Sequence, residues 1–288
     1  MTAQQLLPIG LAFIMFAVGT GLNLTHFKQV LAHPKSLFVG LANQIVLLPI
    51  IALFIASFYT GPVEFAFGLM ILAACPGGIT SNLLSVLAGG NAALSVCMTA
   101  ITSLCSIITV PVILGLSYQF LVGEGTTITM PVGRVMGGIF LITALPIALG
   151  MVLKAKKPDL CEKHQRGLRR TATVIFALIV AGAFIANKDN IATHFLDVGL
   201  DLITLNIATI CFGFLSAFYL KSSPPEQITI SIECGLQNVA LAIFLAINVL
   251  EKPELMVPAI IYAVIMNVSA IVLIVLARKF FTKRPSLA

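Results

Sequence analysis

Two short polar stretches interrupt an otherwise strongly apolar chain, and they hold most of the residues whose types and spacing could do chemistry. The first reads Cys75-Pro76-Gly77-Gly78-Ile79-Thr80-Ser81-Asn82, the second Glu233-Cys234-Gly235-Leu236-Gln237-Asn238. Each sets glycine a few residues before a polar pair ending in asparagine. Gly and Pro weaken helix at such points, and an Asn amide can bond the backbone groups that a break sets free. Glu233 is the one acidic residue deep inside an apolar run; the others fall in loops or near segment ends. A carboxylate at the centre of a bilayer costs at least ~2.5 kcal/mol by insertion scales. No Lys or Arg stands at a matching position, so Glu233 is either protonated or paired with a cation taken from solution.

The neighbouring oxygens bear on that choice. Ser81, Asn82, Ser95, Thr99, Gln237 and Asn238 all lie in apolar runs near the two interruptions, and Gln44 with Asn43 puts an amide in the second run. Ser95 and Thr99 are four apart, hence on one helical face. Many neutral oxygens around one carboxylate suit a hard monovalent cation, to which unwound backbone carbonyls can add ligands. A proton needs fewer, so sodium is favoured, with proton coupling as the alternative. Asn206 and Asn267 serve helix–helix contact or substrate contact equally well. The six cysteines show no CxxC spacing and read as small buried hydrophobes.

The elements that must hold these residues are membrane spans. Hydrophobic residues make up 59% of the 288 and charged residues 10%, whereas soluble domains carry about 25% charge. Apolar runs of about 20 residues specify helices rather than barrel strands. The expected fold is therefore an all-α, polytopic membrane helical bundle. Nine segments are read at about 4–24, 36–59, 64–91, 93–120, 129–153, 169–187, 195–220, 225–250 and 256–278, the third and eighth being interrupted. The first is expected to be a retained span rather than a signal peptide, and the longest loop, about 154–168, to hold no folded module.

Basic residues orient the spans. Of 17 Lys and Arg, 14 fall on one side: Lys28, Lys35, Lys154, Lys156, Lys157, Lys163, Arg166, Arg169, Arg170, Lys221, Arg278, Lys279, Lys283 and Arg284. Arg134, Lys188 and Lys252 fall on the other. The positive-inside rule then puts the C-terminus in the cytoplasm and the N-terminus outside the cell membrane. The third and eighth segments are five apart and cross in opposite directions, so the first four match the last four as an inverted repeat. Paired interrupted helices of this kind mark the binding site of a secondary transporter.

With CPGGITSN followed by ECGLQN at this separation, the chain resembles the bile acid:sodium symporter family, including the bacterial homologues of its apical bile acid transporter, over nearly its whole length. The resemblance implies two broken helices crossing in a core domain, packed against a panel domain. The whole chain, 1–288, forms one transmembrane domain; the panel takes part of the first helix pair within about 1–59 together with 129–187, and the core takes about 36–120 and 195–280. It implies one sodium among Ser81, Asn82, Ser95, Thr99 and Glu233, and a second at Gln44, Glu233 and Gln237 with the carbonyls of Cys234 and Leu236. Asn238 and the helix start near Thr80 would face the substrate, with Asn267 as a further candidate. Ile79 and Met266 are apolar where some related sequences are polar, which implies an adapted substrate pocket.

The expected function is sodium-coupled import of a small organic anion, bile-acid-like or pantoate-like, from the lipid bilayer's outer side. Half-helix N-termini and bound cations would hold its carboxylate, since no basic residue is expected at that depth. A proton-coupled transporter and a cation/proton antiporter are the alternatives. An intramembrane enzyme is disfavoured: there is no HExxH, and His26, His33, His164 and His194 all lie near the surface. Basic residues scattered among short loops exclude a nucleic-acid partner.

Overall fold

The computed structural model describes residues 3–22, 28, 30, 34–122 and 131–281. Among them all regular structure is helical, apart from one isolated antiparallel bridge between Gly77 and Gln237. The helices are α1 (Ala3–Gly21), α2 (Pro34–Phe58), α3 (Val63–Ala74), α4 (Ile79–Leu87), α5 (Ala92–Val122), α6 (Val132–Lys156), α7 (Pro158–Ala186), α8 (Lys188–Tyr219), α9 (Pro224–Gly235), α10 (Val239–Val249) and α11 (Val257–Phe281). Six of these stretches are long and apolar enough to cross a membrane: Pro34–Phe58, Ala92–Leu121, Val132–Lys156, Pro158–Ala186, Val198–Tyr219 and Pro253–Lys279. Crossing takes about 20 residues. Neither α3 nor α4, and neither α9 nor α10, reaches that length by itself.

The expected loop over 154–168 is helical. Only Lys157 separates α6 from α7, because Pro158 stands at the first helical position, where its fixed φ suits the turn and its missing N–H costs nothing. Lys and Arg are good helix formers, and Lys154 pairs with Glu162 across the junction at 2.8 Å. His164 and Arg169 therefore lie on α7 rather than in a loop. His26, His33, Glu124, Lys283 and Arg284 lie outside the described residues.

Proline shapes two long helices in the same way. Both α2 and α6 carry a π-helical turn, Asn43–Leu47 and Phe140–Ala144, followed at once by Leu48-Pro49 and Leu145-Pro146. A mid-helix proline removes one donor and crowds the preceding turn; widening that turn accommodates it. Asn43 and Gln44 sit in the first of these turns and are buried.

The interrupted helices run through the interior. Phe65–Ala74 of α3 and Gln227–Gly235 of α9 are buried without exception, as are the side chains of Val239–Phe244. α1 packs along α6 and α7. Gly150 makes that approach possible, since a Cβ there would stand 2.8 Å from the Thr20 backbone nitrogen. The outward face is apolar: Phe38, Val46, Ile50, Phe54 and Phe58 recur along α2, each more than half exposed. A face of this kind is fit for lipid rather than water.

Candidate ion-binding site

The break between α3 and α4 begins where Cys75 turns extended and Pro76 cannot donate, and α4 restarts after Gly78. The break between α9 and α10 opens at Leu236, also extended. Backbone groups freed by one interruption are taken up by the other. Asn238 N–H donates to the Pro76 carbonyl at 2.9 Å, beside the Gly77–Gln237 bridge. The Asn238 side chain also caps α10, its Oδ1 accepting from Leu241 N–H at 3.0 Å.

Glu233, in the last turn of α9, is wholly buried at this junction. Ser95 and Thr99, one turn apart on α5, both face its carboxylate. Ser95 Oγ donates to Oε1, and Thr99 Oγ1 stands 3.0 Å from Oε2. Asn82 Oδ1, from α4, completes the group at 2.7 Å from Ser95 Oγ and 3.3 Å from Thr99 Oγ1. Ser81 borders the carboxylate while its hydroxyl donates to the Gly78 carbonyl at 2.7 Å.

A count of protons gives this cluster its meaning. Two hydroxyls, each with one proton, face three acceptor oxygens in four close approaches. With Glu233 ionised and Asn82 turning Oδ1 to the two hydroxyls, at least two of those approaches have no hydrogen between the oxygens, and such pairs repel unless a cation lies among them or the carboxyl takes up a proton. The cluster carries one formal negative charge, and its ionised form is expensive to bury unpaired. The ion pairs among the described residues, Arg134–Glu251 and Lys154–Glu162, do not touch it. One carboxylate with hydroxyl and amide oxygens is the donor set of a hard cation. Among the described residues no group of three or more His, Cys, Asp or Glu is placed to hold another kind of metal.

A second group lies beside Glu233. Gln44 Nε2 donates to the Glu233 backbone carbonyl at 3.3 Å, and Gln237 Nε2 to the Cys234 carbonyl at 2.9 Å. Each amide thereby turns its Oε1 away, and both oxygens are buried without a hydrogen-bond partner. Leu236 is fully buried between them in sequence. Gly77 roofs the space: a Cβ there would stand 2.8 Å from Glu233 Oε2 and 3.1 Å from Gln44 Nε2.

The structure thus brings Ser81, Asn82, Ser95, Thr99 and Glu233 to one place, with Gln44 and Gln237 beside them. The expected substrate residues are less unified. Thr80 is half-buried in the first turn of α4. Asn238 is buried with its oxygen committed to the α10 cap. Asn267 donates to the Ala263 carbonyl of its own helix at 2.6 Å, a back-bond that does not reach either break.

Three further contributors come from the structure, the first by deciding between the two roles expected of Asn206. Asn206, on α8, donates to the Gly235 carbonyl at 2.8 Å, so its role is helix–helix contact. Tyr262, on α11, donates to the same carbonyl at 2.9 Å while Asn206 Nδ2 reaches its hydroxyl at 3.1 Å. Together they hold the end of α9 at the break. A lone Tyr in the apolar 256–278 run was the available signal. The third, Arg169, lines a cavity with Asn82 and Ile79.

A sequence model of the sodium bile acid symporter family matches residues 8–194. The uncharacterized sodium-dependent transporter YocS of Bacillus subtilis is 30% identical over 91% of this chain and 80% of its own length. The probable sodium/metabolite cotransporter BASS1, chloroplastic, of Arabidopsis thaliana is 29% identical over 89% of this chain and 62% of its own. The mouse P3 protein is 30% identical over 78% of this chain and 47% of its own. The chain therefore spans less than two thirds of the last two relatives.

Proposed function

The chain belongs to the sodium bile acid symporter family, and from that premise we propose that it is a sodium-coupled symporter importing a small organic anion by alternating access. The observation that carries this reading is the oxygen-rich, proton-poor cluster around Glu233 where the two helix breaks meet. One sodium is assigned to Ser81, Asn82, Ser95, Thr99 and Glu233. A second is assigned to Gln44, Glu233, Gln237 and the carbonyls of Cys234 and Leu236, supported by the two unpartnered amide oxygens. Sodium is the cargo that drives transport; relatives called sodium-dependent transporter and sodium/metabolite cotransporter support that choice of ion and a metabolite-sized organic partner.

Glu233 belongs to α9, Asn82 to α4 and Ser95 to α5, so an ion at the first site ties both broken helices to one neighbour. Fixing the breaks favours the substrate-competent state, and such coupling is typically 1–3 kcal/mol and reciprocal. A panel of α1, α6 and α7 moving against a core of the remaining helices exposes the site to each side in turn; the close α1–α6 packing through Gly150 supports treating these helices as one body. Nine spans, with the two interrupted pairs each counted once, N-terminus outside, and an inverted repeat complete the scheme.

Two sodium ions with one monoanion move one net positive charge inward per cycle, worth about 2.3 kcal/mol per 100 mV. Uptake of organic acids into vesicles carrying the protein should rise with an inward sodium gradient and again with a negative interior. Uptake indifferent to both excludes the scheme. A lone buried carboxylate held by two hydroxyls is also compatible with proton coupling or cation/proton antiport. A cation-driven pH change in vesicles without organic acid would identify the antiporter.

A further inference from the structure

Between the cation cluster and one end of the fold stand two more buried hydroxyls. The buried stripe of α4 is Ser81, Ser85 and Ala88, small residues where a packed helix would bury large apolar ones. Opposite it α9 runs the other way: Glu233 lies by Ser81, while Pro225 and Thr229 lie by Gly90, just past the end of α4. Ser85 follows Ser81 by four residues, and Thr229 precedes Glu233 by four. Each therefore shares a helix face with a member of the cluster, about 6 Å further along the seam. Both are wholly buried, whereas the turn beyond them is exposed at Leu87 and Gly89.

Ser85 is the anomaly. Thr102, Ser106 and Ser117 of α5 each return their hydroxyl proton to a carbonyl of their own helix, as membrane hydroxyls commonly do. Ser85 Oγ makes no such bond and has no hydrogen-bond partner among the described residues. A hydroxyl buried in this way costs stability and calls for a ligand. Around it other oxygens converge. A Cβ on Gly90 would stand 2.5 Å from Thr229 Oγ1, 2.9 Å from the Ser85 carbonyl oxygen and 3.4 Å from that of Pro225, so a glycine alone leaves this point open. Thr229 Oγ1 accepts from Asn91 N–H at 2.7 Å. The Ser85 and Pro225 carbonyls accept from Gly90 N–H at 2.8 Å and Asn91 N–H at 3.2 Å, each keeping a second lone pair.

We propose that Ser85 and Thr229, with the Ser85 and Pro225 carbonyls, form a transient alkali-cation position in the α4–α9 seam, through which sodium passes between the Glu233 cluster and the end of the fold where α4 stops and α9 starts. The inference rests on the sodium-coupled reading and gives the ion of the first site its route, toward the cytoplasm in the proposed orientation. An ion leaving Glu233 loses its carboxylate before it regains water. Neutral oxygens one turn along replace part of that ligation and lower the barrier. Lacking a formal charge, they hold the ion too weakly to trap it, as a passage position must.

The test separates rate from affinity. Radioactive sodium is bound to the purified full chain at equilibrium and then chased with excess unlabelled sodium. Ser85→Ala removes a hydroxyl that bonds nothing, so its melting temperature should hold or rise and its sodium Kd should match the parent's. Its release of sodium should nevertheless slow by about tenfold. Thr229→Val should slow release in the same way, and Thr229→Ser, which keeps the hydroxyl, should not. Thr143→Val is the control: it removes another buried hydroxyl without a hydrogen-bond partner, on α6, and should release sodium like the parent. Release from Ser85→Ala at the parent rate overturns the proposal. So does a rate change wholly accounted for by a changed Kd, which would put Ser85 in the Glu233 site itself. A parent chain without saturable sodium binding removes the symport reading and this route with it, whereas normal binding with unaltered release removes the route alone.

Discussion

Gly77→Ala isolates the cation site from the fold, because its neighbour Gly78 supplies a matched control. Neither glycine has a positive φ, so alanine suits both backbones. The difference is what the methyl meets. At Gly77 it would stand 2.8 Å from Glu233 Oε2 and 3.1 Å from Gln44 Nε2; at Gly78 its nearest neighbour, the Gln237 carbonyl, is 3.4 Å away, an ordinary contact. Restoring ordinary contact at Gly77 displaces Oε2 by about 0.6 Å, enough to spoil its approach to Thr99. Overpacking of this kind costs about 1–3 kcal/mol, which taken from ion binding raises the sodium Kd by about 5- to 150-fold. Melting of the purified protein, titrated with sodium against choline, reads this out: a tenfold weaker Kd removes about 1.4 kcal/mol of stabilisation at fixed excess sodium. Gly78→Ala should titrate like the parent. If Gly77→Ala also does, or if both lose sodium affinity equally, the ion does not sit beneath Gly77.

Two further outcomes follow from the packing. Tyr262→Phe removes one of the two donors on the Gly235 carbonyl and should cost about 1 kcal/mol, with Asn206→Ala costing more; unchanged melting in both would show that the α9 end needs neither. Gly19→Ala sets a methyl against the Ile147 carbonyl of α6, where backbone meets backbone, while Gly133→Ala meets nothing within 4 Å. The first should lower the melting temperature and the second hold or raise it, so equal melting would refute the close α1–α6 approach.

Much of this arrangement was legible in the residues because its physics is local. Pro76 with Gly77 and Gly78 announced the first break, Gly235 before Gln237-Asn238 announced the second, and an isolated Glu233 announced a missing partner. Helix periodicity placed Ser95 and Thr99 on one face. What escaped depended on tertiary neighbours. Arg169 read only as one of the basic residues that orient the spans, since the charged run 154–168 before it lacks apolar character, yet Pro158 starts a helix that continues through Arg169 and sets it on one cavity with Asn82. Tyr262 gave no sign of its role in the sequence, because the Gly235 carbonyl it bonds is freed only by the break in the folded chain. Asn267 has the right chemistry for a substrate contact but spends its amide on its own helix.

Equilibrium binding of radioactive sodium to the purified chain, compared with Glu233→Gln, meets the central claim head on. Saturable binding displaced by unlabelled sodium, and lost when the carboxylate becomes an amide of the same shape, is the predicted result. Equal binding by both proteins, or none by either, would contradict it.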